Sequence, residues 1–213
     1  MNPARAKREL IVLVADRNME AAVSGVLRRH ASLGIRLVNS DIRRHPGKDC
    51  GCRTEGIEFL SPFVNQYEHA LLMFDLEGCG VETRGAQEIE NEMENDLHNH
   101  WDARGAVIVI APELDIWVWS DSPHVDEILG WSGRAPDLRS WLTEQGYKIP
   151  EQEKPIRPKE ALEKALYVAR KPRSSTIYQS LAEKVSLARC GDRAFIKLKE
   201  TLKRWFQEEE SNE

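Results

Sequence analysis

Leu10 to Ala15 (LIVLVA) is an unbroken apolar run rich in branched residues, the pattern of a strand buried on both faces, as in a parallel sheet. Polar Asp16, Arg17 and Asn18 follow at once. Met19, Val23, Val26 and Leu27 then recur at helical spacing over residues 19–29, with Asn18 placed to cap the helix. After Gly34, Ile35 to Val38 is the second strand candidate. Residues 40–62 are punctuated by Pro46, Gly47, Gly51, Gly56 and Pro62 and read as irregular, with Ile57 to Leu60 placed to begin a helix. Ala70 to Phe74 (ALLMF) is the third strand, ending in Asp75, Leu76, Glu77 and Gly78. Over residues 83–101, Ile89, Met93 and Leu97 recur every four positions amid Glu88, Glu90, Glu92 and Glu94, which predicts an amphipathic helix with an acidic outer side. Ala106 to Ala111 (AVIVIA) is the fourth strand, stopped by Pro112 and followed by Glu113, Leu114, Asp115, Ile116 and Trp117. Strands alternating with helical patterns imply right-handed crossovers and a parallel sheet, hence an α/β fold.

The pattern changes beyond Trp119. Pro123, Pro136, Pro150 and Pro155 break up a connecting region, and three helical stretches follow at 158–170, 174–188 and 192–207. The expected organisation is an α/β domain over 1–120, a connecting region over 121–157 and a helical C-terminal extension over 158–213. The acidic end, Glu208 to Glu213, is expected to fray.

Composition narrows the class. At 213 residues, 41% hydrophobic and 31% charged, the chain is that of an ordinary folded protein rather than a disordered one. The N-terminus lacks the apolar core and cleavage site of a secretory signal, no run approaches a membrane span, and four cysteines do not make a disulfide framework. A cytoplasmic protein with no membrane partner is therefore expected. The net charge of -5 argues against a protein that coats nucleic acid non-specifically. The charge is uneven: residues 1–150 carry 16 Lys and Arg against 24 Asp and Glu, whereas residues 151–213 carry 14 against 11.

The informative feature is the repeated placement of carboxylates just past strand ends: Asp16, then Asp75 with Glu77, then Glu113 with Asp115. In open α/β sheets ligands bind in the crevice outside the carboxyl ends of the strands. Crowded carboxylates repel, and a bound Mg²⁺ or Mn²⁺ would resolve the repulsion with the hard oxygen ligands it favours. Solvent-facing turns would carry the same acids, which leaves the metal reading and the plain one both open. Glu20, on the first helical turn after Asp16, either joins the cluster or complements the helix dipole.

The stretch LIVLVADRNMEAAVSGVL, with the later FDLEG, resembles the two signature elements of Toprim-related domains, an acid after the first strand and an Asp-x-Asp pair after a later one. PELDIWVW, with the tail from Thr176 to Phe206, is similar to a bacterial Toprim-related family of unknown function found in mobile and antiphage defence loci, in particular to the small accessory proteins of methylation-associated defence systems. The resemblance implies a Toprim-like small parallel sheet flanked by helices with a C-terminal helical extension. It places Asp16 where the family commonly has Glu, Glu20 on the second acid of that motif, Asp75 and Glu77 on the Asp-x-Asp pair, and Asp115 on the acid before Trp117. Two positions depart from the family pattern, Asp for Glu at 16 and Glu for Asp at 77.

By that resemblance Asp16, Glu20, Asp75 and Glu77 are the catalytic candidates, and Asp16, Asp75, Glu77, Glu113 and Asp115 the ligands of Mg²⁺ or Mn²⁺. The implied function is a metal-dependent phosphodiesterase or nuclease of an antiphage defence system, or a degenerate relative, with nucleic acid as substrate. The alternative is a non-enzymatic accessory subunit that docks onto a methyltransferase-containing defence complex, using exposed tryptophans within residues 117–141 and the helical tail as its interface.

Three further features compete for chemistry. Cys50, Cys52 and Cys79 with His45 offer a rival zinc set, without the paired two-residue Cys spacing that usually marks one. Arg170, Lys171 and Arg173 precede a helix start, where phosphate binds, although surface loops look the same. Trp117, Trp119, Trp131 and Trp141 suit base stacking, core packing or an interface.

Overall fold

The three longest apolar runs form three adjacent strands of a parallel sheet. A computed structural model describes residues 7–149 and 152–207, so the expected fraying of Glu208 to Glu213 lies outside the described residues. The strands are β1 (Arg8–Val14), β2 (Ser40–Arg44), β3 (Tyr67–Asp75) and β4 (Gly105–Ile110). All pairings are parallel, in the order β2-β1-β3-β4, with Val12 opposite Ile42 on one side and Leu71 on the other, and Met73 opposite Ile108. Leu10 to Val14 and Ala70 to Phe74 are fully buried because helices cover both faces of their strands. The protein is therefore α/β, a four-stranded all-parallel sheet flanked by helices with a helical C-terminal extension, as expected for a Toprim-like architecture.

Helices α1 (Arg17–Leu27) and α2 (His30–Leu33) connect β1 to β2, α3 (Lys48–Leu60) connects β2 to β3, and α4 (Ala86–Trp101) connects β3 to β4. Two expectations are corrected. The second strand is Ser40–Arg44, not Ile35 to Val38; it is an edge strand, half-buried to exposed, so its polar sequence SDIRR carries no apolar run. The segment read as irregular holds a complete helix that ends at Leu60 instead of beginning near Ile57. Its glycines serve close packing: a Cβ on Gly51 would lie 2.2 Å from the His45 ring nitrogen Nδ1.

The connecting region contains α5 (Pro123–Leu129) and α6 (Leu138–Glu144), and the extension contains α7 (Pro158–Ala169), α8 (Ser175–Lys184) and α9 (Arg193–Phe206). Helix α8 packs along α1, closely enough that a Cβ on Gly25 would sit 2.8 Å from that of Ala182. Helix α9 packs against β4 and α2.

Strand β4 is the other edge, and side chains satisfy its outer backbone. Glu90 and Glu94 accept from the Val109 and Val107 amides at 2.7 and 3.0 Å, and Arg193 of α9 donates to the Val109 carbonyl at 2.8 Å. Glu90, 1% exposed, is itself paired with Arg193 and Lys197 at 2.7 and 3.2 Å. One buried carboxylate thus closes a sheet edge and ties the extension to the domain. No described helix is long and apolar enough to cross a membrane.

Candidate functional site

In this strand order the connections run to opposite sides from β1 and β3, so the crevice of an open α/β sheet lies between the carboxyl ends of those two strands. Asp16 follows β1 and Asp75 ends β3. Asp16 caps α1, accepting from the Asn18 and Met19 amides at 2.9 Å each, so the cap is Asp16 and not Asn18. Asp75 accepts from the Leu114 amide at 2.9 Å, which fixes the chain after β4 against the end of β3.

A third acid enters here that the sequence did not single out. Asp49, in the first turn of α3, accepts the Asp75 amide at 2.8 Å. Burial pushes the Asp75 carboxyl well above the usual carboxylate range, and the charges of Asp49, Asp115 and Asp16 push it further. Burial also raises Asp49, against the hydrogen bond from the Asp75 amide and with the repulsion of Asp16. The strand ends therefore bring together Asp16, Asp49, Asp75 and Asp115.

The 3-10 turn Leu114–Trp117 places the remaining acids under the extension. Asp115, 3% exposed, accepts from Arg173 Nη2 at 2.9 and 3.0 Å and from the Tyr178 hydroxyl at 2.9 Å. Burial raises the Asp115 carboxyl, and Arg173 and Tyr178 pull it back down. Glu113, also buried, lies 3.4 Å from Lys159 Nζ. Burial and the Asp115 charge raise Glu113, while Lys159 opposes them. The basic groups of the extension thus reach into the acidic crevice, Lys159 from α7 and Arg173 from the turn before α8.

The other candidates are placed differently. Glu20 pairs with Arg44 at 3.1 Å, and Glu77 is exposed on the turn after β3. Among the described residues no group of three or more His, Cys, Asp or Glu side chains is arranged to hold a metal ion. The rival thiols do not assemble either: Cys50 is exposed, Cys52 and Cys79 are buried, and His45 is buried with Nδ1 accepting from the Gly47 amide at 3.0 Å. Of the basic turn, Arg173 is engaged with Asp115 and Lys171 with the Ile128 carbonyl, so both cations already have partners within the chain.

The expected exposed tryptophans are also corrected. Trp119, Trp131 and Trp141 are 1%, 3% and 9% exposed. Trp119 and Trp131 donate to the Pro158 and Ala165 carbonyls at 3.0 and 3.1 Å, joining the connecting region to α7. Trp117 donates to Asp192, the cap of α9, at 2.8 Å. Trp117, Trp119 and Trp131 thus stabilise the extension through their N–H groups as well as their apolar area. No family model matches this sequence, and neither a curated protein nor a solved structure does.

Proposed function

We propose that this protein is a catalytically silent relative of Toprim-like phosphodiesterases that serves as a non-enzymatic accessory subunit, consistent with the resemblance to defence-system accessory proteins. One observation carries the reading: two of the five acids named as metal ligands are already paired with the chain's own cations, Asp115 with Arg173 at 2.9 Å and Glu113 with Lys159 at 3.4 Å. A divalent ion there would have to displace the Arg173 guanidinium, whose Nη2 donates to both oxygens of the buried Asp115. Metal-assisted hydrolysis needs at least one carboxylate free to bind the ion and a further position open for water or substrate.

The enzyme reading keeps one specific support, the coupling of Asp16, Asp49 and Asp75 at the point where the strand connections diverge. Were that reading correct, Mg²⁺ or Mn²⁺ would sit among those three acids with Asp16 as ligand or general base.

A cleavage assay separates the two. The protein is incubated with single- and double-stranded DNA and RNA in Mg²⁺ or Mn²⁺. The accessory reading expects no product beyond that of an Asp75→Ala control. Metal-dependent cleavage that disappears in Asp75→Ala would establish the enzyme instead.

A further inference from the structure

The extension carries a second concave surface, distant in chemistry from the acidic crevice. The loop between α8 and α9 and the outer side of α9 form a groove of about 440 Å³ whose floor is Leu187, Phe195 and Ile196 and whose rim carries Arg189, Lys199 and Lys203. Ile196 is 42% exposed on a helix whose opposite face, with Leu198 and Leu202, is core. Among the described residues none of the three rim cations forms a salt bridge. Glu200 is the one acid among the described lining residues, against three cations, on a chain of net charge -5.

The floor has room behind it. Leu187, Cys190 and Phe195 also border an apolar cavity of about 40 Å³ between α1, α8 and α9. That space lets the floor yield under a branched side chain without overpacking the core. The Ser120 hydroxyl borders the same cavity and is buried without a hydrogen-bond partner among the described residues.

We propose that this groove binds an acidic peptide segment of a partner protein, a leucine-sized side chain seated on Leu187, Phe195 and Ile196 and flanking carboxylates on Arg189, Lys199 and Lys203. Charge complementarity selects the occupant: exposed cations around an apolar floor favour an apolar anchor with acidic neighbours and repel a basic one. The groove is open along its length and has room for a few residues of extended chain. The proposal rests on the accessory reading and gives the chemistry of its partner.

Fluorescence anisotropy with a labelled Glu-Glu-Leu-Glu-Glu peptide tests it. Saturable binding is expected, weakened at least about tenfold when the leucine is replaced by glycine, as the burial of one leucine implies. It should also weaken as salt is raised, because the rim charges are exposed. The Arg189→Glu/Lys199→Glu double variant should abolish binding while melting like the parent. Ile196→Asp, at a position already partly in water, should do the same independently. No saturable binding, or equal binding of the glycine peptide, overturns the proposal. Binding that appears only after deletion of residues 208–213 assigns the groove to the chain's own acidic end and also overturns it. Either failure leaves the metal-dependence tests of the crevice unaffected, so the two readings fall separately.

Discussion

Removing Arg173 tests the claim that the extension supplies the charge balance of the crevice. Arg173→Ala leaves Asp115 with the Tyr178 hydroxyl at 2.9 Å but no paired cation, at a site 3% exposed. Stranding a buried charge costs about 3–5 kcal/mol. The Arg173 side chain is 29% exposed, so water reaches the vacated space and the lower end applies, about 3 kcal/mol. For a chain of this length that corresponds to a fall of roughly 6–12 °C in melting temperature. The Asp115→Asn/Arg173→Ala double variant, which removes both charges, should recover most of the loss. The penalty should also shrink toward about pH 4, because burial raises the Asp115 carboxyl and its protonation removes the stranded charge. Chemical denaturation of the four members of the cycle at pH 7 and pH 4.5 measures it. A cost for Arg173→Ala below about 1 kcal/mol at neutral pH, or one that the double variant does not relieve, would refute the ion-pair argument.

The same reasoning extends to three other positions. Glu90→Ala leaves the Val109 amide without its acceptor and separates α9 from the sheet edge, and should cost about 2–3 kcal/mol, since Arg193 and Lys197 can turn to water. Denaturant midpoints check this, and a near-neutral result would show that the edge is satisfied in another way. Asp75→Asn keeps the acceptor for Leu114 while removing a charge whose folded pKa is raised. Because the folded state then holds its proton more tightly than the unfolded one, the parent loses stability as pH rises above about 4. Asp75→Asn should therefore melt above the parent at pH 8, with the gap closing toward pH 4; a variant that melts lower at pH 8 counts against the repulsion. His69, stacked on Trp205 at 4.5 Å, is lowered by burial to about 4. Its neutral form stabilises the fold fully above about pH 6.5, and this is lost as pH falls toward 4. His69→Phe should flatten that limb relative to the parent by about 1–2 kcal/mol, the ring being only half-buried.

Strands β1, β3 and β4 were legible because burial on both faces leaves a continuous apolar run. Strand β2 was not, because an edge strand exposing Arg43 and Arg44 resembles a polar loop, while Ile35, buried near α2, supplied a false signal. Helix α3 was hidden by Gly51 and Gly56, which read locally as breakers but serve contacts with His45 and with Leu72 that only the fold reveals. Asp49 was hidden with it, so one acid of the crevice was missed. The sequence placed Asp16, Asp75 and Asp115 at strand ends, and there they stand. It could not reveal that Lys159 and Arg173, far along the chain, return to the same crevice, because such pairings follow from how α7 and α8 dock and leave no local pattern. The tryptophans misled for the same reason: an indole marks large buried area equally well in a core or in an interface.

The most direct test of the account is the melting temperature of the parent protein as Mn²⁺ is raised to millimolar concentration at neutral pH. An ion that binds only the folded state stabilises it by about 2.7 kcal/mol at 100 times its dissociation constant. That would raise the melting temperature by roughly 5–11 °C. With Asp115 and Glu113 occupied by Arg173 and Lys159, the account predicts no rise beyond about 1 °C in the parent and a rise only in Arg173→Ala, where a ligand is released. A rise of several degrees in the parent that vanishes in Asp75→Asn would contradict it and return the crevice to metal chemistry.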